Sequence, residues 1–307
     1  MTVKKSALEG IVPIMAATFT PAGLLDEASF QALVQHLIKA KVNGLTLFGL
    51  VTEFYKLTDH ERAKMQSLML AQTALSEDSW GIISITDHSR EVAVLRAQAA
   101  EAEGADALML LPPFFLSPGE EAIAEHIRQV ITSVQIPVII QYAPAQTGVR
   151  LAPQFFVELQ QSLPETRQIF VKVETQPPGR YITQLLEASK QKIGALVGYA
   201  GVQMPDVMQR GAAGIQPGSA FVEIYLEIYE RFKQADISGM NALHQQLLPY
   251  INTWMQGIEM IIRVEKTILH KRGIIASDYC RQPTYSLDKL EIAQIEAFLA
   301  EFAAFLK

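Results

Sequence analysis

"PVIIQYAPAQTGVRLAPQFFVELQQSLPETRQIFVKV", residues 137–173, holds two short apolar runs with a helical segment between them. PVIIQY (137–142) and IFVKV (169–173) are continuous in hydrophobicity rather than alternating. Strands read that way when other layers cover both of their faces. Residues 152–163 between them read as a helix, so the unit is strand, helix, strand.

The same unit recurs in both directions. Upstream, IVPIMAATF (11–19) leads to a helix beginning near Asp26, with Phe30, Leu33, Val34, Leu37 and Ile38 on one face. GLTLFG (44–49) precedes Thr58-Asp59-His60-Glu61, a capping box. WGIISI (80–85) precedes a helix with Val92, Leu95 and Ala99 inward and Gly104 at its stop. DALMLL (106–111) precedes Ser117-Pro118-Gly119-Glu120, a cap with Pro at the first helical position, and then the stripe Ile123, Ile127, Val130 and Val134. Downstream lie a helix near 179–190, GALVGY (194–199), a helix near 202–211 and AGIQP (213–217). Eight such units imply an α/β fold, a (β/α)8 TIM barrel, over residues 1–235. The rival is an open doubly wound sheet, but no Gly-x-Gly-x-x-Gly follows an early strand. From about 219 the chain reads only as helix, and residues 236–307 are expected to be a C-terminal helical extension.

The chain has 307 residues, 49% hydrophobic and 19% charged, which is a globular composition. A net charge of −6 without a basic patch argues against nucleic acid as a partner. No apolar run approaches the ~20 residues that span a bilayer, so no membrane partner is expected. Pro13 interrupts the apolar start, and cleavage after it would remove a core strand, so a cytoplasmic start is expected over a signal peptide. The single Cys280 permits no intrachain disulfide. His36, His60, His126 and His244 fall in helical patterns that read as solvated surface, and no metal site or cofactor is expected.

Lys172 is the residue that does not fit its strand. Function in such a barrel gathers at the C-terminal ends of the strands. A lysine late in a strand points into the barrel or toward the helix layer, and burial in either place disfavours the ammonium form. A neutral amine attacks a ketone or aldehyde, and the protonated imine then serves as an electron sink. The alternative is a lysine that reaches the rim and pairs with Glu174. Tyr142, one strand away, is either a proton donor and acceptor or a packing residue. Glu53 is either functional or a solvated or capping carboxylate.

At this point the chain resembles the dihydrodipicolinate synthase / N-acetylneuraminate lyase family of Schiff-base aldolases, as a divergent member. ATFTPAGLLD (17–26) is similar to that family's Thr-Pro-Phe-x-x-Asp-Gly-x-Val-Asp, and GLVTEFYKLTDHER (49–62) to its Gly-Thr-Thr-Gly-Glu stretch. LPPFF (111–115) stands for Thr-Pro-Tyr-Tyr, IIQYAPAQTG (139–148) for Tyr-Asn-x-Pro-x-x-Thr-Gly, and VKVET (171–175) for the Ile-Lys-Glu strand. The resemblance implies that Lys172 forms the imine and that Tyr142 relays protons. It places Leu50 and Val51 where two hydroxyls hold a 2-oxo-acid carboxylate, which leaves backbone N–H groups to hold it here. It also implies that Gly198 and Ile215 line the substrate pocket, and that the assembly is a homotetramer or dimer.

Leu50, Val51, Phe115 in place of the second Tyr, and Gln146 in place of an Arg all depart from the synthase pattern. The expected function is therefore a lyase, an aldolase or dehydratase, acting on pyruvate or a sugar-derived 2-keto-3-deoxy acid rather than a true synthase. Glu174 either orients the lysine or transfers a second proton. Two alternatives stay open: a non-catalytic barrel with a binding or regulatory role, and a Schiff-base lyase for a carbonyl without an adjacent carboxylate.

Overall fold

A computed structural model describes residues 7–116, 118–164 and 167–306. Strands and helices alternate along the chain. The first half runs β1 (Gly10–Ile11), α1 (Glu27–Lys39), β2 (Gly44–Leu47), α2 (Asp59–Thr73), β3 (Trp80–Ile85), α3 (Arg90–Ala102), β4 (Ala107–Leu110) and α4 (Glu120–Thr132). The second runs β5 (Val138–Tyr142), α5 (Pro144–Thr147), α6 (Pro153–Gln161), β6 (Ile169–Val173), α7 (Gly179–Ala188), β7 (Gly194–Val197), α8 (Met204–Gln209), β8 (Gly214–Ile215) and α9 (Val222–Lys233). Helices α10 (Ile237–Trp254), α11 (Ile258–Lys271) and α12 (Lys289–Glu301) follow.

All strand pairs are parallel, in the order β1-β8-β7-β6-β5-β4-β3-β2. Ile14 closes the ring by bridging to both Gly218 and Thr46. The Met15 N–H donates to the Thr46 carbonyl at 2.9 Å. This is the expected (β/α)8 barrel, with helices between the strands. The first strand is shorter than its apolar run because Pro13 has no N–H to give the ladder.

Pleat alternation sorts the core into two clusters. Val12, Ile14, Ile82, Met109, Ile139, Phe170 and Leu196 fill the lumen. The residues between them, such as Ile83, Leu110, Ile140, Val171 and Val197, pack outward against the helices. Local signals behave as the sequence reads. Asp26 caps α1, and Thr58 with Glu61 forms a capping box on α2.

Four readings are corrected. On α3 the inward face is Ala93, Ala97 and Ala100, while Val92 and Leu95 are exposed. Small side chains let that helix lie close to the strands, so the larger residues do not mark its core face. Helix α4 is capped at Gly119 and starts at Glu120, so Pro118 precedes it. Ser117, the cap read from sequence, lies outside the described residues. His126 and His244 are buried rather than solvated, and burial pushes both below the ordinary histidine value. The C-terminal region is interrupted between α11 and α12 by an extended, non-helical segment. Among the described residues no helix is long and apolar enough to cross a membrane.

Helix α11 ties the later helices to the barrel through two buried charged groups. Lys266 is fully buried, ion-pairs with the equally buried Glu53 and donates to the Tyr279 carbonyl at 2.9 Å. Lys56 approaches Glu53 at 3.2 Å and Glu259 at 2.8 Å. Beside Lys266 in sequence, Glu265 accepts the Ala220 N–H at 2.8 Å, just past β8. Burial pushes Glu265 up to about 7, against the opposing pull of the Ala220 and Ser219 N–H groups and Arg272.

Replacing Lys266 by Met leaves Glu53 buried with one cation fewer, and urea unfolding is expected to show a loss of about 3–5 kcal/mol. Glu265 has a folded value above its ordinary 4.5, so the folded state holds its proton longer than the unfolded chain. Its contribution is complete below the ordinary value and is lost as pH rises through about 7. Glu265→Gln is expected to flatten that fall, on the order of 3 kcal/mol, when urea midpoints are compared at about pH 4.5 and 8.

Candidate active site

Lys172 is the fourth residue of β6, and its register partners are Gln141 on β5 and Leu196 on β7. Phe170, two residues earlier, points into the lumen, so Lys172 does too. Its side chain is 5% exposed, and its Nζ lies 3.3 Å from Glu174 Oε1. Glu174 follows β6 with the same parity and is itself buried. Gln141 Nε2 donates to the other carboxylate oxygen at 2.6 Å. The pair is therefore neutralised internally and hydrogen-bonded from the neighbouring strand, which a buried ion pair requires. The lysine enters the lumen as the first reading has it, and the rim reading's partner, Glu174, comes with it.

Gly198, at the end of β7, makes room for this pair. A Cβ there would overlap the Glu174 carboxylate and come within 2.9 Å of Lys172 Cε. A small cavity of about 60 Å³ is lined by Leu50, Val51, Gln141, Lys172, Glu174 and Gln216 among others. Tyr199 and Met255 line both this cavity and a second one of about 440 Å³. Gly198 also lines the larger space, together with the uncharged polar side chains Thr175, Gln176, Gln203, Asn252 and Gln256. Leu50 and Val51 open a short 3-10 turn, Leu50–Thr52, after β2. The first N–H groups of such a turn have no acceptor within it.

Three sequence-derived residues are not brought to the lysine. Tyr142 lies opposite Val173 rather than Lys172, on the outward face of β5. Its hydroxyl accepts the Leu151 N–H at 3.2 Å, and its ring packs at 4.8 Å from Tyr181 and 5.8 Å from Phe156. Burial raises the phenol above its ordinary value, and the Leu151 N–H opposes that rise. The lumen position belongs to Gln141, and the sequence held the signal. In Tyr-Asn-x-Pro-x-x-Thr-Gly the Tyr stands three residues before the Pro, and three before Pro144 is Gln141.

Ile215 is displaced in the same way. It is fully buried in the outer cluster, and Gln216 is the neighbour that lines the cavity. Glu53 is also fully buried, away from that cavity, in its ion pairs with Lys56 and Lys266. It sits at φ 53°, which bends the chain between two short 3-10 turns. Phe115 is exposed beside His88, and Gln146 lies on α5, off both cavities. The sequence reading missed Gln141, Gln216 and Tyr199 on the barrel, and the contributions of Asn252, Met255 and Gln256 from the end of α10.

Comparison with known proteins agrees with this architecture. An L-2-keto-3-deoxyarabonate dehydratase of Azospirillum brasilense is 27% identical over 279 residues, covering 89% of this chain and 88% of its own. A 4-hydroxy-tetrahydrodipicolinate synthase of Streptomyces coelicolor is 27% identical over 297 residues, 94% of this chain and 92% of its own. The crystal structure of YagE from Escherichia coli K12, described as a complex with pyruvate, superposes with a TM-score of 0.86 at 23% identity, covering 97% and 99% of the two chains. The profile of the dihydrodipicolinate synthetase family matches residues 7–302, nearly the whole described barrel and its C-terminal helices, so the chain belongs to that family.

Proposed function

We propose that the protein is a Schiff-base lyase for a 2-keto-3-deoxy sugar acid, and that it eliminates water from it. The observation that carries this reading is the Lys172–Glu174–Gln141 arrangement at the strand ends. Lys172 passes a proton to Glu174 and its freed amine adds to the C2 carbonyl; Glu174 returns that proton to the departing oxygen, which leaves as water, and a protonated imine remains. Glu174, beside the same nitrogen, then takes a C3 proton, and its electron pair moves into the enamine. The enamine expels the C4 hydroxyl, which takes that proton from Glu174 and leaves as water, and hydrolysis of the imine frees the amine and an unsaturated 2-oxo acid.

Dehydration starts with loss of a proton from C3, the carbon next to C2, and a carboxylate 3.3 Å from Lys172 Nζ is placed for that step. The 440 Å³ cavity supports the substrate class. Its lining has amides and two hydroxyls but no charged side chain, which suits a hydroxylated tail better than a second carboxylate or an ammonium group. The dehydratase relative acts on a 2-keto-3-deoxy acid by name, and YagE carries pyruvate. Leu50 and Val51 line the smaller cavity, and their N–H groups are assigned to the substrate carboxylate in this reading.

Borohydride reduction in the presence of pyruvate, followed by mass spectrometry, is expected to place an adduct on Lys172 and none on the Lys172→Ala variant. Glu174→Gln is expected to lower turnover of 2-keto-3-deoxy acids by about 10²–10⁴, the usual worth of a general base, while Tyr142→Phe stays within about threefold. Release of pyruvate and an aldehyde, in place of water, would assign aldol cleavage. Gly198→Ala is expected to slow adduct formation at least about tenfold with little change in melting temperature, since it displaces the Lys172–Glu174 pair. A variant that traps pyruvate at the wild-type rate would remove that glycine from the mechanism.

A further inference from the structure

Gln216, the first residue past β8, is 2% exposed and lines the cavity that holds Lys172. Its carboxamide is held at one end only. Nε2 meets Thr46 Oγ1 at 3.0 Å, and among the described residues no donor reaches Oε1. Thr46 is fully buried on β2, so this contact spans β1 and fixes the direction of the side chain. A buried amide end left unpaired costs roughly 1–3 kcal/mol, and a ligand that pairs with it recovers that cost.

The other polar side chains lining the cavity are Gln141, Lys172, Glu174 and Tyr199. Gln141 Nε2 is committed to Glu174, and Lys172 is paired with the same carboxylate. A half-turn of the Gln216 carboxamide exchanges its two ends, because a threonine hydroxyl donates as readily as it accepts. The Thr46 hydroxyl then donates to Oε1, and both Nε2 hydrogens are free for the cavity.

We infer that Gln216 binds the carboxylate beside the reacting carbonyl, with Thr46 holding its carboxamide in place. Its amide N–H joins the backbone N–H groups of Leu50 and Val51, which line the same cavity and bring no side-chain donor. A neutral amide suits this place. It gives a charge-assisted hydrogen bond to the carboxylate without adding a cation to compete with Lys172 for Glu174. The inference rests on the lyase reading only for the identity of the ligand, a 2-oxo acid.

Calorimetric titration of the full-length protein with pyruvate tests it. Gln216→Leu and Gln216→Glu are both expected to weaken pyruvate binding by about ten- to a hundredfold, the loss of a hydrogen bond to a charged group. Thr46→Val is expected to weaken it less, and borohydride trapping of glycolaldehyde, which has no carboxylate, is expected to survive Gln216→Leu unchanged. Wild-type affinity in Gln216→Leu would overturn the inference. So would wild-type affinity in Gln216→Glu beside weak binding in Gln216→Leu, since an ionised side chain there would repel the carboxylate that the inference places beside it. Equal losses for pyruvate and glycolaldehyde would make Gln216 structural, and no pyruvate binding to the wild type would also reject it. Pyruvate binding without an adduct on Lys172 would defeat the lyase reading and leave the carboxylate site standing.

Discussion

An ammonium and a carboxylate side by side in an apolar barrel set the terms for everything around them. Lys172 and Glu174 are 3.3 Å apart, and both are largely removed from water. Their mutual attraction offsets the cost of desolvation only when the remaining hydrogen-bonding capacity is also met. Gln141 meets part of it from β5, and Gly198 on β7 leaves the volume in which the pair fits. Three adjacent strands thus share one site through their register. A slip of one residue on any of them would turn the partner away from the lumen.

That same parity decides what could be read from the sequence. The strand–helix alternation is written in apolar runs and caps, so the barrel was legible throughout. Lys172 was legible because a charged residue interrupts an apolar strand. Tyr142 and Ile215 were each misassigned by one position, and in both cases a glutamine next door faces the lumen. Chemical type attracted attention to the tyrosine, whereas the pleat selects by odd and even places. Once Lys172 is taken as inward, its ladder partner must be inward as well, and that partner is Gln141. Periodicity along α3 deceived in a different way, since its buried face is made of alanines.

What the sequence does not display is the return of the C-terminal helices to the strand ends. Asn252, Met255, Ile258 and Ile261 reach the cavities from α10, α11 and the turn between them, and no local pattern announces a contact so distant along the chain. The physical tie is the buried pair between Glu53 and Lys266. Glu53 follows the turn that carries Leu50 and Val51, while Lys266 lies on the helix that carries Ile258 and Ile261. Reading Glu53 as chemistry was reasonable for a carboxylate near a strand end. Its fully buried place in an ion pair instead makes it a tie between two segments that line the cavity.

The arrangement also bears on selectivity. The charged side chains lining the smaller cavity, Lys172 and Glu174, are paired with each other, and the larger cavity is lined by uncharged groups. A ligand with a second charge far from the reacting carbon would have to give up its hydration there without an opposite charge to meet it, at a cost of several kcal/mol. A polyhydroxylated tail exchanges water for amides and hydroxyls at nearly equal strength. The absence of charge in that lining therefore favours the second ligand type over the first as much as any single contact does.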